Sequence, residues 1–214
     1  MATPGELWAR AVPLVGGAEQ AAAGSGADLT RRYAEPHRRY HDTGHVLAVA
    51  RDAAGLAADL GLGERDRALV TLAACAHDVV YDGEPGTDER RSAEWARRHL
   101  AEAGVAEDDV AEVERLVLAT LSHRAAPEDL RALVLLDADL AVLGADPESY
   151  ERYRLAVRAE YARFDDAAWA AGRSSVLADL AARNPLYATE PARARWDAAA
   201  RRNLAHELTA LRTT

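Results

Sequence analysis

The chain has 214 residues, 49% of them hydrophobic and 29% charged, which suits one domain with a sizeable core or two very small ones, and one domain is expected. Its 26 basic and 35 acidic side chains leave a formal net charge of −9, and a net acidic chain without a basic stripe is a poor partner for polymeric DNA or RNA. No segment approaches the roughly 20 apolar residues of a membrane span. The opening ATPGELWARAVPLV is not a basic stretch followed by a long apolar one, so a cytoplasmic protein without a membrane partner is expected.

Apolar residues recur at helical spacing along nearly the whole chain, and no run alternates with period two over strand length, so the expected fold class is all-α. The abundance of alanine favours helix further, because alanine loses no side-chain entropy there. A helix is expected from His41 to Leu60: Val46, Val49, Ala50, Ala53, Leu56, Ala57 and Leu60 form one stripe, and Gly61 and Gly63 stop it. A second is expected from about Glu64 to Asp78, with Leu69, Val70, Ala73 and Ala76 on its apolar face. Cys75 lies in that stretch and is expected to be a buried, inert thiol. The segment YDGEPGTDE then reads as a loop, with Thr87 or Asp88 capping a helix through Leu100. Further helices are expected near 107–122, 128–143, 147–163, 166–183 and 191–211, and no repeat or domain linker interrupts them.

Chemistry-bearing residues fall on these helices at inward positions. His41 and His45 lie four apart, so a helix beginning near His41 points both the same way, and His45 shares a side with Val49 and Leu56. His77, followed by Asp78, is four residues after Ala73 and seven after Val70. In LLDADLAVLG, Asp137 and Asp139 sit in an apolar helix that ordinarily excludes carboxylates. A buried carboxylate needs a partner: a cation is one, and an arginine such as Arg131 is another. Two imidazoles and two carboxylates give mixed nitrogen and oxygen ligation, neutralise a divalent ion, and leave positions open for water and substrate.

On these residues the sequence resembles the HD-domain superfamily of metal-dependent phosphohydrolases, named for its H…HD…D pattern, and more narrowly a bacterial group of about this length. The likeness runs from EPHRRYHDTGHV through HDVVYDGEPGTDERRSA to LDADLAVLG and the helical C-terminus. The resemblance implies a compact helical bundle forming one domain over 1–214, with a metal-binding core at about 35–145 and the helices of 147–211 packed on it. It implies that His45, His77, Asp78 and Asp139 bind one divalent ion (Mn, Mg, Fe, Co or Zn), with Asp139 favoured over Asp137 by its Ala-Asp-Leu context. It also implies a phosphoric ester hydrolase, acting on a small phosphorylated metabolite such as a nucleotide through a metal-activated water. The YHDTGH segment is similar to the Tyr-His-Asn-x-x-His signature of cyclic-nucleotide phosphodiesterases, which implies His41 as general acid, although Asp42 stands where the relatives have asparagine. A helix-capping or orienting role is the alternative for His41. Bacterial nucleotidases of the superfamily carry a glutamate where this chain has Tyr81, and the alarmone hydrolases read His-Asp-Val-Val-Glu-Asp-Thr against HDVVYDG here. Asp82, Asp88 and Glu89 are candidate orienters of the water. His123 and the arginines Arg38, Arg39, Arg124 and Arg173 are candidate phosphate contacts.

Two rivals are kept. A di-iron oxygenase of the same fold needs further histidines between His77 and Asp139, where only His99 and His123 are available. A metal-containing sensor or binding module needs the same ligands without turnover.

Overall fold

The first helix is set by local chemistry. Thr3 Oγ1 accepts the Glu6 N–H at 3.2 Å, the Glu6 carboxylate accepts the Thr3 N–H at 2.9 Å, and Pro4 opens α1 (Pro4–Ala11) where its missing N–H costs nothing. A 3-10 turn, Val12–Val15, leads to α2 (Glu19–Tyr33). These two helices, which the periodicity before His41 does not announce, cross at paired glycines: a Cβ on Gly5 would fall 2.1 Å from the Gly26 carbonyl oxygen. The computed structural model describes residues 2–212 and contains no strand among them, as the helical periodicity predicts.

The chain divides into two units, the first running through Ala138 and the second starting at Asp139. In the first, α3 (Thr43–Asp59), α4 (Glu64–Ala76), α5 (Thr87–Glu102), α6 (Glu107–Ala119) and α7 (Leu130–Asp139) follow α1 and α2. The unit boundary thus falls in the last turn of α7. Helix α4 is central: it packs against α1, α3, α5 and α6, and Leu69, Val70 and Leu72 through Ala76 are all buried. Its alanines let neighbouring helices approach closely, while Leu69 and Leu72 each contribute roughly 1.5–3 kcal/mol of burial. Cys75 is fully buried, and burial pushes its thiol up to about 12.

In the second unit a 3-10 turn, Leu140–Gly144, precedes α8 (Pro147–Glu160), α9 (Asp166–Ala181), α10 (Glu190–Ala192), a π-turn (Arg193–Asp197) and α11 (Ala198–Leu211). Helix α11 packs on the 3-10 turn and on α9, and the Asn203 amide donates to the Leu143 and Ala145 carbonyls at 2.8 and 2.9 Å. Arg173 and Glu207 form a buried two-point ion pair at 2.9 and 3.2 Å, and both Tyr150 and Tyr153 bond to it. No helix among the described residues is long and apolar enough to cross a membrane.

Candidate metal centre

Helix α3 starts at Thr43, not at His41, because Asp42 is its N-cap: Oδ1 accepts the N–H of Gly44 at 2.7 Å and of His45 at 3.2 Å. The cap fixes His45 in the first turn with its ring turned inward, 6% exposed. His41 therefore precedes the helix, and the expected helical pairing of His41 with His45 is corrected. Their ring centroids, 5.3 Å apart, are brought together by the turn in which Asp42 N–H bonds the Tyr40 carbonyl. At the other end of the neighbouring helix, α4 finishes at Ala76. His77 is its C-cap and still donates its N–H to Ala73, while Asp78 lies in the turn beyond.

Three donor atoms from these two segments converge. His45 Nε2 is 3.1 Å from His77 Nε2, and Asp78 Oδ2 is 3.4 Å from the first and 3.1 Å from the second. His77 Nδ1 lies 2.8 Å from the Ala74 carbonyl, which only accepts, so Nδ1 carries the hydrogen and Nε2 of the neutral ring presents a lone pair. His45 Nδ1 faces the Tyr40 hydroxyl at 3.1 Å, which can accept its hydrogen and so leave a lone pair on Nε2 of the second ring as well. With both rings in that tautomer, the two Nε2 lone pairs and the Asp78 carboxylate face one another as the donors of one cation would. Donors bonded to one ion at roughly 2.0–2.2 Å and at right angles stand about 3 Å apart, so the spacings fit one small divalent ion. Asp139, half-buried at the end of α7, offers an oxygen that lies with one nitrogen each of His45 and His77 inside a 4.8 Å group. Neither Asp78 nor Asp137, which is 3% exposed, is in that group, and Arg131 pairs instead with Asp66 at 3.3 Å and Glu112 at 3.0 Å.

His41 is half-buried, stacked on Tyr81 with centroids 4.2 Å apart and edge-on to Tyr40 at 4.9 Å. The other expected acids are engaged in the loop before α5. Asp82 is exposed and accepts from Arg91 at 2.8 Å. Glu89 accepts the Gly86 N–H at 2.6 Å, where Gly86, at φ 81, is the residue preceding the helix in place of the expected Thr87 or Asp88 cap. Asp88, 5% exposed, binds the loop itself through the N–H groups of Asp82 and Glu84 at 3.0 and 2.8 Å. His123 lies in the turn beyond α6 in a left-handed conformation, φ 48. His99 stays on its own helix, against Trp95 at 4.5 Å and Glu102 at 3.0 Å. Arg38 and Arg173, considered for phosphate, are both buried and occupied, Arg173 by Glu207 and Tyr153.

Spacing alone did not reveal the supports. Tyr33 donates its hydroxyl proton to the Cys75 carbonyl at 3.0 Å and accepts the Asp78 N–H at 3.3 Å, so it anchors the turn after α4. Burial first, then the Asp78 charge, raises its pKa well above the ordinary value, which keeps that proton in place. Tyr33 is more than 40 residues from its partners and no local pattern marks it. Asp42 did carry a signal: an Asp three residues before His45 at the start of an apolar stripe is an N-cap pattern.

Residues 43–142, which run from the start of α3 into the turn after α7, match the HD domain family. No curated protein and no solved structure matches the chain. The matched stretch contains the two histidines and two aspartates whose geometry is described above, on the helices that carry them. Residues 43–142, just under half of the chain, thus carry its likeness to the HD domain family.

Proposed function

We propose that the protein is a metal-dependent phosphohydrolase acting on a small phosphorylated metabolite, a nucleotide foremost, with His45, His77, Asp78 and Asp139 holding one divalent ion. The observation that carries the reading is the convergence of His45 Nε2, His77 Nε2 and Asp78 Oδ2 within 3.4 Å of one another, with His77 pinned by a carbonyl in the ligand tautomer. When bound there, the ion supplies Lewis acidity to water and to a phosphoryl oxygen.

The chain's own residues divide the remaining work. His41 stands beside the centre, half-buried and oriented between Tyr81 and Tyr40. Its imidazole can hold a proton and deliver it to the leaving oxygen. Tyr40 and the Ala74 carbonyl keep the two ligand imidazoles facing inward. Asp82 and Glu89, whose carboxylates already serve Arg91 and the Gly86 N–H, are given the task of shaping the loop that carries Tyr81. A net charge of −9 repels polyanions at long range while leaving a local site free to hold a single phosphate.

The test is phosphate release from nucleoside mono-, di- and triphosphates, cyclic nucleotides, alarmones, sugar phosphates and nucleic-acid polymers, with Mn²⁺, Mg²⁺, Fe²⁺ and Co²⁺ in turn. Turnover of a small phosphate that is lost in Asp78→Ala is expected. Cleavage confined to polymers, or oxygen-dependent conversion of an unphosphorylated compound, would overturn the reading.

A further inference from the structure

Arg38 is a buried cation whose partners are nearly all backbone. Its side chain is fully buried, and its guanidinium lies against the rings of Tyr33 and Tyr81, with centroids at 5.0 and 5.7 Å. Nη1 donates to two carbonyls at once, His41 at 2.9 Å and Asp78 at 2.7 Å. Nη2 donates to the Val79 carbonyl at 3.0 Å, and Nε faces Glu35 at 3.3 Å. The carbonyls of Asp78 and Val79 lie just past the C-terminus of α4, where no helical N–H reaches them and where the helix dipole favours a positive charge. The His41 carbonyl immediately precedes Asp42, the cap that sets His45. One guanidinium therefore joins the segment that orients His45 to the turn that carries His77 and Asp78. The sequence separation between Arg38 and Asp78 is 40 residues, so no local hydrogen bond does this.

We propose that Arg38 is the positioning residue of the metal centre, holding the His41 and Asp78 carbonyls on one nitrogen and thereby fixing the spacing between the two segments that supply the ligands. The proposal rests on the metal reading above, and it makes Arg38 a brace instead of a phosphate contact. Lysine cannot replace it, because an ammonium is a point donor and the planar fork is what reaches three carbonyls in fixed directions.

The experiment is Co²⁺ titration of wild type, Arg38→Met, Arg38→Lys and, as a control away from these bonds, Asp109→Asn, which removes the partner of Arg65. Affinity and the visible absorption bands of the bound ion are read, with circular dichroism and thermal midpoint in parallel. Both Arg38 variants are expected to keep the wild-type helical content, to bind Co²⁺ about 10- to 100-fold more weakly and to show altered bands, as losses of ligand-orienting partners do. Asp109→Asn is expected to bind as wild type does even where its thermal midpoint falls as far. A folded Arg38→Met with wild-type affinity and bands would overturn the proposal. So would an equal weakening in Asp109→Asn, or failure of both Arg38 variants to fold, which would assign Arg38 to the fold. Absence of Co²⁺ binding by wild type would instead overturn the metal reading itself.

Discussion

At the scale of single residues the centre separates ligands from a candidate acid. His45 and His77 meet at 3.1 Å with the outer nitrogen of each already engaged, while His41 stacks on Tyr81. His41→Gln is therefore expected to leave metal content intact and to lower kcat by roughly 10² to 10⁴. The loss should shrink for a nitrophenyl ester, whose leaving group needs little protonation, and unchanged turnover would remove His41 from the mechanism. The candidate ligands His45 and His77 were legible in the sequence because each is a polar residue at an inward position of an apolar stripe, and buried polar groups demand partners, whereas Asp78 and the choice of Asp139 rested on the resemblance. The supports were not legible, because Tyr33 and Arg38 reach backbone atoms some 40 residues away.

At the scale of the element, local rules account for most helices and tertiary contacts for their ends. The stripe from Val46 to Leu56 gave α3 its face, but the helix starts two residues later than the His41–His45 spacing suggests, because Asp42 takes the cap. Asparagine, which stands at this place in the similar Tyr-His-Asn-x-x-His signature, caps a helix as well as aspartate does. Asp42→Asn is thus expected to be close to neutral, while Asp42→Ala should cost about 1 kcal/mol and weaken metal binding by loosening His45. Equal stability of the two variants in chemical denaturation would contradict that assignment. A second ionic anchor joins α2 to α5: Asp28 accepts from the Trp95 indole at 2.8 Å and from Arg32 at 3.0 Å. Burial works against its charge, but the bonds from Trp95 and Arg32 outweigh this and lower its pKa. With a folded pKa below the unfolded value, its contribution is complete above the ordinary carboxylate range and is lost as pH falls through the folded pKa. Asp28→Asn should therefore be less stable than wild type by about 1–2 kcal/mol near neutral pH, given the partial exposure of the site. The two proteins should converge in acid, and a gap that persists there would show that the bonds do not depend on the charge.

At the scale of the whole molecule the sequence made the all-α class plain and left the division at Ala138 unmarked, since that boundary falls inside α7 with no change of composition. The same helix carries both candidate aspartates, and only their placement distinguishes them: Asp139 groups with the histidines and Asp137 does not. The most direct test of the proposed centre is a crystal of the full chain grown with Mn²⁺ and measured at the manganese edge. A single anomalous peak is expected within about 2.0–2.3 Å of His45 Nε2, His77 Nε2 and one oxygen each of Asp78 and Asp139. A peak bound by Asp137 in place of Asp139, or Mn²⁺ found only at surface carboxylates with the His45–His77 contact unchanged, would contradict it.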